Sequence, residues 1–180
     1  TLLALHGVPV GTRTWEHLDI PMQKHSFVGL DCSAERKDWS LDSFVDEVLP
    51  EVNQHSIILG HDFGGVIAAM VALRKTPRAV ILTGTALGPW WSLTRLSAKP
   101  MLDKFFYDRY AGELFVQQGN RRKKQYSLRP ENQSDLPERM KKVAKQMRPP
   151  SRLAQDLAAR CPVYLIWGKH DRWYPPPIAK

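Results

Sequence analysis

Ser56-Ile57-Ile58-Leu59 runs into Gly60-His61-Asp62-Phe63-Gly64-Gly65 and then into Val66-Ile67-Ala68-Ala69-Met70-Val71-Ala72-Leu73. The first four residues suit a buried strand and the last eight a buried helix. Between them lies a Gly-x-x-x-Gly turn with one reactive side chain, Asp62, at its centre. A strand, a tight glycine-flanked turn and a helix make a nucleophile elbow. The turn is so sharp that small residues must flank the central one, whose side chain then stands alone above the sheet. The usual occupant is serine. An aspartate there points to attack on a saturated carbon and an alkyl ester, rather than to acyl transfer.

Working outward, Leu2-Leu3-Ala4-Leu5 is a short apolar run ending at His6-Gly7, and Phe27-Val28-Gly29-Leu30 is a second, ending at Asp31. Both suit buried parallel strands. Ser40 can cap a helix in which Leu41, Phe44, Val45, Val48 and Val52 recur at helical spacing, with Pro50 set against its last turn. Residues 79–84 form a fourth strand run and residues 163–168 a fifth, the latter preceded by a helix over 151–160. Alternating strands and helices predict an α/β fold, an open parallel sheet of about five strands with helices on both faces.

Residues 89–150 interrupt this alternation. They are basic, aromatic and punctuated by Pro100, Pro130, Pro137, Pro149 and Pro150, and they are too long for an ordinary crossover. They read as a helical insertion above the strand C-termini. It divides the chain into a first core part (1–88), a cap (89–150) and a second core part (151–180).

The net charge of +8 sits wholly in that insertion, which holds 14 Lys/Arg against 6 Asp/Glu. Such runs are usually solvated helical faces, and no nucleic-acid-binding pattern accompanies them. No nucleic-acid partner is expected. No apolar run reaches the ~18 residues of a membrane helix, so no membrane partner is expected either. Cys32 and Cys161 make no disulfide framework and no zinc pattern. They suit small buried residues in a reducing cytoplasm. Neither a metal nor a cofactor is called for. The opening residues 1–6 read as a strand and not as a signal peptide, so an N-terminal segment is expected to be missing.

With these elements in place, the chain resembles the α/β-hydrolase superfamily, and within it the aspartate-nucleophile branch of epoxide hydrolases and haloalkane dehalogenases. His6-Gly7-Val8-Pro9 is similar to the HGxP motif that shapes the oxyanion hole. Residues 60–65 are similar to the GxDxGG elbow. Trp167-Gly168-Lys169-His170-Asp171 is similar to the loop that carries the acid partner of the catalytic histidine. The resemblance spans nearly the whole chain and makes residues 89–150 the cap domain.

It implies Asp62 as nucleophile, Asp171 as the acid that orients a histidine, and the backbone N–H groups of Val8 and Phe63 as the oxyanion hole. His6 and Pro9 belong to the oxyanion loop beside the pocket. No histidine follows His170, and the family's two opening strands are absent. The sequence is therefore expected to be an internal fragment that lacks its edge strands and catalytic histidine and is inactive in turnover.

The leaving group separates the subclasses. An epoxide oxygen needs a proton, which two cap tyrosines supply in the resembling family. Tyr107, Tyr110 and Tyr126 are the candidates. A departing halide needs ring N–H donors, often a tryptophan directly after the nucleophile, where this chain has Phe63. Trp90 and Trp91 are candidates to line the pocket or to donate. The leading expectation is an epoxide hydrolase-like enzyme for a small apolar substrate, working as a monomer or a homodimer. A haloalkane dehalogenase is the enzymatic alternative, and a non-catalytic binding domain of the same fold is the alternative from another class.

Overall fold

The computed structural model describes residues 1–7, 15, 25–28, 30, 36–85, 87 and 152–169. Five parallel strands form one sheet: β1 (Leu2–Leu5), β2 (His25–Val28), β3 (Ile57–His61), β4 (Ala79–Thr83) and β5 (Val163–Ile166). Their order is β2-β1-β3-β4-β5. Among the described residues three α-helices accompany them: α1 (Leu41–Val48), α2 (Phe63–Arg74) and α3 (Leu153–Ala158). The chain steps from β1 outward to β2, then jumps back over β1 to β3 and continues the other way. The direction of winding thus reverses between β1 and β3, and in open parallel sheets ligands bind outside the strand C-termini at such a reversal.

Right-handed crossovers put every connection that runs in one direction on one face of the sheet. Accordingly α1, α2 and α3 share a face. Phe44, Val45 and Val48 of α1, Phe63, Val66, Ile67 and Val71 of α2, and Leu153 and Leu157 of α3 form one core with Leu3, Leu5, Ile58, Val80 and Leu82. The strand residues of that core are in register, Leu3 with Ile58 and Ile58 with Val80. Their alternates Ala4, Leu59 and Ile81 face the other way and pack with Trp15, from the reverse-running β1–β2 connection.

α2 lies between α1 and α3 and is buried on nearly all sides, which its uninterrupted apolar sequence requires. α1 is amphipathic, with Asp42 and Asp46 outward, where Arg74 of α2 holds both carboxylates. Ser40 caps α1 by accepting the Ser43 N–H at 3.2 Å.

Two elements differ from their sequence reading. β2 begins at His25 and ends at Val28, because pairing of Leu2–Leu5 with His25–Val28 sets its position. Helix α1 ends at Val48, and a 3-10 turn follows over Leu49–Glu51 with Pro50 inside it. Proline has no N–H to continue the α-helical ladder. The expected cap, residues 89–150, lies outside the described residues. Among the described residues, no helix is long and apolar enough to cross a membrane.

Candidate active site

β3 delivers the chain to the sheet's C-terminal edge and α2 carries it away. Asp62 alone joins them. Its backbone sits at φ 52°, ψ −120°, and it is the only non-glycine with positive φ among the described residues. Such a conformation costs on the order of 1–3 kcal/mol and persists only where the surroundings over-determine it. Two hydrogen bonds hold it: Asp62 N–H donates to Thr83 O at 3.1 Å, and Asp62 O accepts from Gly65 N–H at 3.1 Å.

Close backbone approach completes the constraint. A Cβ on Gly60 would lie 2.5 Å from Gly65 Cα, and one on Gly64 would lie 2.5 Å from the carbonyl oxygens of both Leu5 and His6. The glycines therefore let α2 start directly against the end of β1, at the winding reversal.

That contact puts Asp62 over Gly7. A Cβ on Gly7 would fall 2.7 Å from Asp62 Cβ and 2.8 Å from Oδ2. The carboxylate is partly exposed and stands at the N-terminus of α2, where the helix dipole favours negative charge. Phe63 opens the helix, so its N–H has no partner within α2. Its ring turns the other way, into the core, and meets Phe44 edge-on at 4.9 Å. Only the backbone of Phe63 belongs to the site.

His6 is buried and tied on both sides. Nδ1 lies 2.9 Å from Gly7 O, and Nε2 accepts the Leu30 N–H at 3.0 Å. The second bond fixes the tautomer: Nε2 is unprotonated, and Nδ1 carries the proton that Gly7 O accepts. Burial pulls its pKa below the usual 6.5, and His61 lowers it further by repulsion. The imidazole therefore pins the loop at Gly7 to the chain beyond β2.

His61 faces the side of the sheet away from α1–α3, edge-to-face with Trp15 at 6.2 Å between ring centroids. Its Nδ1 is 2.9 Å from Thr83 Oγ1 and 3.0 Å from Thr83 O. That carbonyl already accepts from Asp62 N–H and from Thr85 Oγ1, the latter at 3.1 Å. Nδ1 thereby anchors the ring to the end of β4 through both oxygens of Thr83. His6, with both ring nitrogens engaged, keeps no lone pair to act as a general base. His55 is at the other end of β3, where its carbonyl accepts from the Thr1 amine.

The His6 environment makes stability pH-dependent. An imidazole that is neutral when folded, with its pKa below 6.5, binds a proton more readily once unfolded. The unfolded state then gains protons first as pH falls, so stability is full above 6.5 and declines below it. Thermal unfolding from about pH 8 to about pH 5 should show a falling midpoint, and His6→Gln should flatten that decline.

Asp171, Val8, Pro9, Trp90, Trp91, Tyr107, Tyr110 and Tyr126 lie outside the described residues. Asp62, Phe63 and His6 are brought together at the β1–β3 reversal. Thr83 and Thr85 escaped the sequence reading. Their only signal was a polar Thr-Gly-Thr at the end of an apolar strand run. Among the described residues no cluster of His, Cys, Asp or Glu could hold a metal ion. Cys161 is buried, which pushes its thiol pKa up.

Comparison with known proteins fits this geometry. A family model described as "Alpha/beta hydrolase family" matches residues 2–180. Among solved structures, a lipase-esterase related protein from Clostridium acetobutylicum is 19% identical, with TM-score 0.71, covering 98% of this chain and 77% of that one. An esterase from Exiguobacterium antarcticum is 17% identical, with TM-score 0.72, covering 99% and 76%. A haloalkane dehalogenase from Bradyrhizobium elkani is 16% identical, with TM-score 0.67, covering 99% and 76%. No curated protein matches. At these identities the solved structures establish the fold, and the family model covers nearly every residue. The chain belongs to the alpha/beta hydrolase family.

Proposed function

We propose that the protein is a hydrolase with an aspartate nucleophile, most similar in chemistry to epoxide hydrolases acting on small apolar substrates. The observation that carries this reading is Asp62 itself, held at φ 52° on the elbow with its carboxylate over Gly7. The family's usual serine would attack an acyl carbon. A carboxylate instead attacks a saturated ring carbon of the epoxide, forming a C–O bond as the ring C–O bond breaks. The released oxide takes a proton, for which Tyr107, Tyr110 and Tyr126 are the candidates. Water then attacks Cγ of Asp62, and the oxyanion so formed is stabilised by the N–H groups of Phe63 and Val8. Collapse releases the diol and restores the carboxylate. Asp171 orients the histidine that takes the water's proton, a role that His6, with both ring nitrogens engaged, cannot fill.

A haloalkane would follow the same first step and release halide. The ring of Phe63, with no polar hydrogen and buried against Phe44, offers a departing halide nothing. Incubation with styrene oxide and, separately, with a primary bromoalkane tests the choice. Reaction of the epoxide with negligible bromide release is expected. Bromide release in preference to epoxide opening would make the protein a dehalogenase, and inertness toward both would make it a binding domain.

A further inference from the structure

Arg36 precedes α1 and is 9% exposed, although it carries a full charge. All three nitrogens of its guanidinium are engaged: Nε with Asp38 O, Nη1 with the Glu47 carboxylate and Nη2 with Ser43 Oγ. Its flat face covers the Phe44 ring, with Cζ 3.7 Å from the ring centroid. Phe44 is fully buried. It meets Phe63 at 4.9 Å and 83°, and Trp39 at 6.0 Å and 74°. Trp39 Nε1 donates back to Arg36 O at 2.8 Å.

Stability alone does not call for a charge here. A well-packed apolar side chain of similar size usually serves as well as a buried ion pair. What an arginine adds is direction, because a planar fork pinned at several points fixes the surface beneath it. That surface is Phe44, and the next ring is Phe63, the residue joined to strained Asp62. An edge-to-face pair of this kind has a defined geometry. A strained peptide stays in place only while its neighbours are rigid.

We propose that Arg36 is a positioning residue for the elbow: it clamps Phe44 against Phe63 and thereby holds the Asp62–Phe63 peptide in its strained conformation. The catalytic consequence rests on the nucleophile reading of Asp62; the mechanical claim does not.

Amide hydrogen exchange on the full chain separates the two. The Asp62 and Gly65 N–H groups are hydrogen-bonded at the elbow, to Thr83 O and Asp62 O, while those of Ile57 and Val80 bond at the far end of the sheet, to Thr1 O and Pro162 O. In Arg36→Met, exchange at Asp62 and Gly65 should rise about tenfold or more, with Ile57 and Val80 changing less than about twofold. Arg36→Lys should recover part of the protection. A uniform rise, or no rise at the elbow, overturns the clamp. Should Arg36→Met fail to fold, Phe44→Leu decides by the same pattern, since it removes the ring but keeps an apolar filler.

Labelling by styrene oxide is the second readout. Wild-type modification at Asp62 that slows about tenfold in Arg36→Met extends the clamp to reactivity, and unchanged labelling overturns that extension. An unlabelled wild type with the selective exchange pattern overturns the nucleophile reading and leaves the clamp standing.

Discussion

Asp62→Asn is expected to abolish epoxide opening, by at least about a thousandfold, while leaving the fold in place. The amide matches the carboxylate in size but is a far weaker nucleophile toward a saturated carbon. Asparagine has the same branched, planar side chain as aspartate, so the backbone at φ 52°, ψ −120° is not newly strained. The hydrogen bonds that hold the turn are made by the main chain of residue 62, to Thr83 O and from Gly65 N–H, and they survive the substitution. The thermal midpoint should therefore move little. Activity that persists in Asp62→Asn would mean that the carboxylate does no chemistry. A large loss of stability would mean that it is a structural cap.

Gly64→Ala is expected to do the opposite and fail at folding. Its Cβ would sit 2.5 Å from the carbonyl oxygens of Leu5 and His6 and 2.6 Å from the Leu5 carbonyl carbon. All three are backbone atoms, two of them in Leu5 at the end of a strand paired on both sides. No side chain can swing aside, so α2 must lift from β1, and α2 is the most enclosed helix of the core. Overpacking a core with one methyl typically costs about 1–3 kcal/mol where side chains can adjust. Against fixed backbone the loss should exceed about 3 kcal/mol, a large part of a typical total of roughly 5–15 kcal/mol. Urea unfolding measures it. A midpoint within error of the wild type would show that α2 does not approach β1 as closely as described.

These two predictions rest on different kinds of legibility. The elbow could be read in the sequence because its constraints are local. A strand run, three glycines and an apolar helix leave the chain one way to turn, and the structure has β3, Asp62 and α2 in that order. The parallel sheet was legible for a similar reason, since runs such as 79–83 are apolar on both faces.

The supports of the site were less visible, because each depends on which strands lie side by side. The Leu30 N–H finds His6 across 24 residues of sequence, and Thr83 meets His61 across 22. Both contacts follow from pairing rather than from any motif. The apolar pattern sets β2 too far toward Leu30 for the same reason. His25 and Ser26 look polar, yet pairing with Leu2 and Leu3 draws them into the strand. Arg36 carried no signal at all. A lone arginine in a polar stretch reads as solvent-exposed, and only the packing of α1 on α2 turns it into a buried plate over Phe44.

The central claim, that the Asp62 carboxylate bonds directly to the substrate carbon, is tested most directly by mass spectrometry of the protein after incubation with styrene oxide. The first step needs no base, so an adduct can form even where hydrolysis is slow. The account predicts an increment equal to one epoxide, on the peptide containing Asp62, and its absence in Asp62→Asn. An unmodified Asp62, or an adduct confined to another residue, would contradict it.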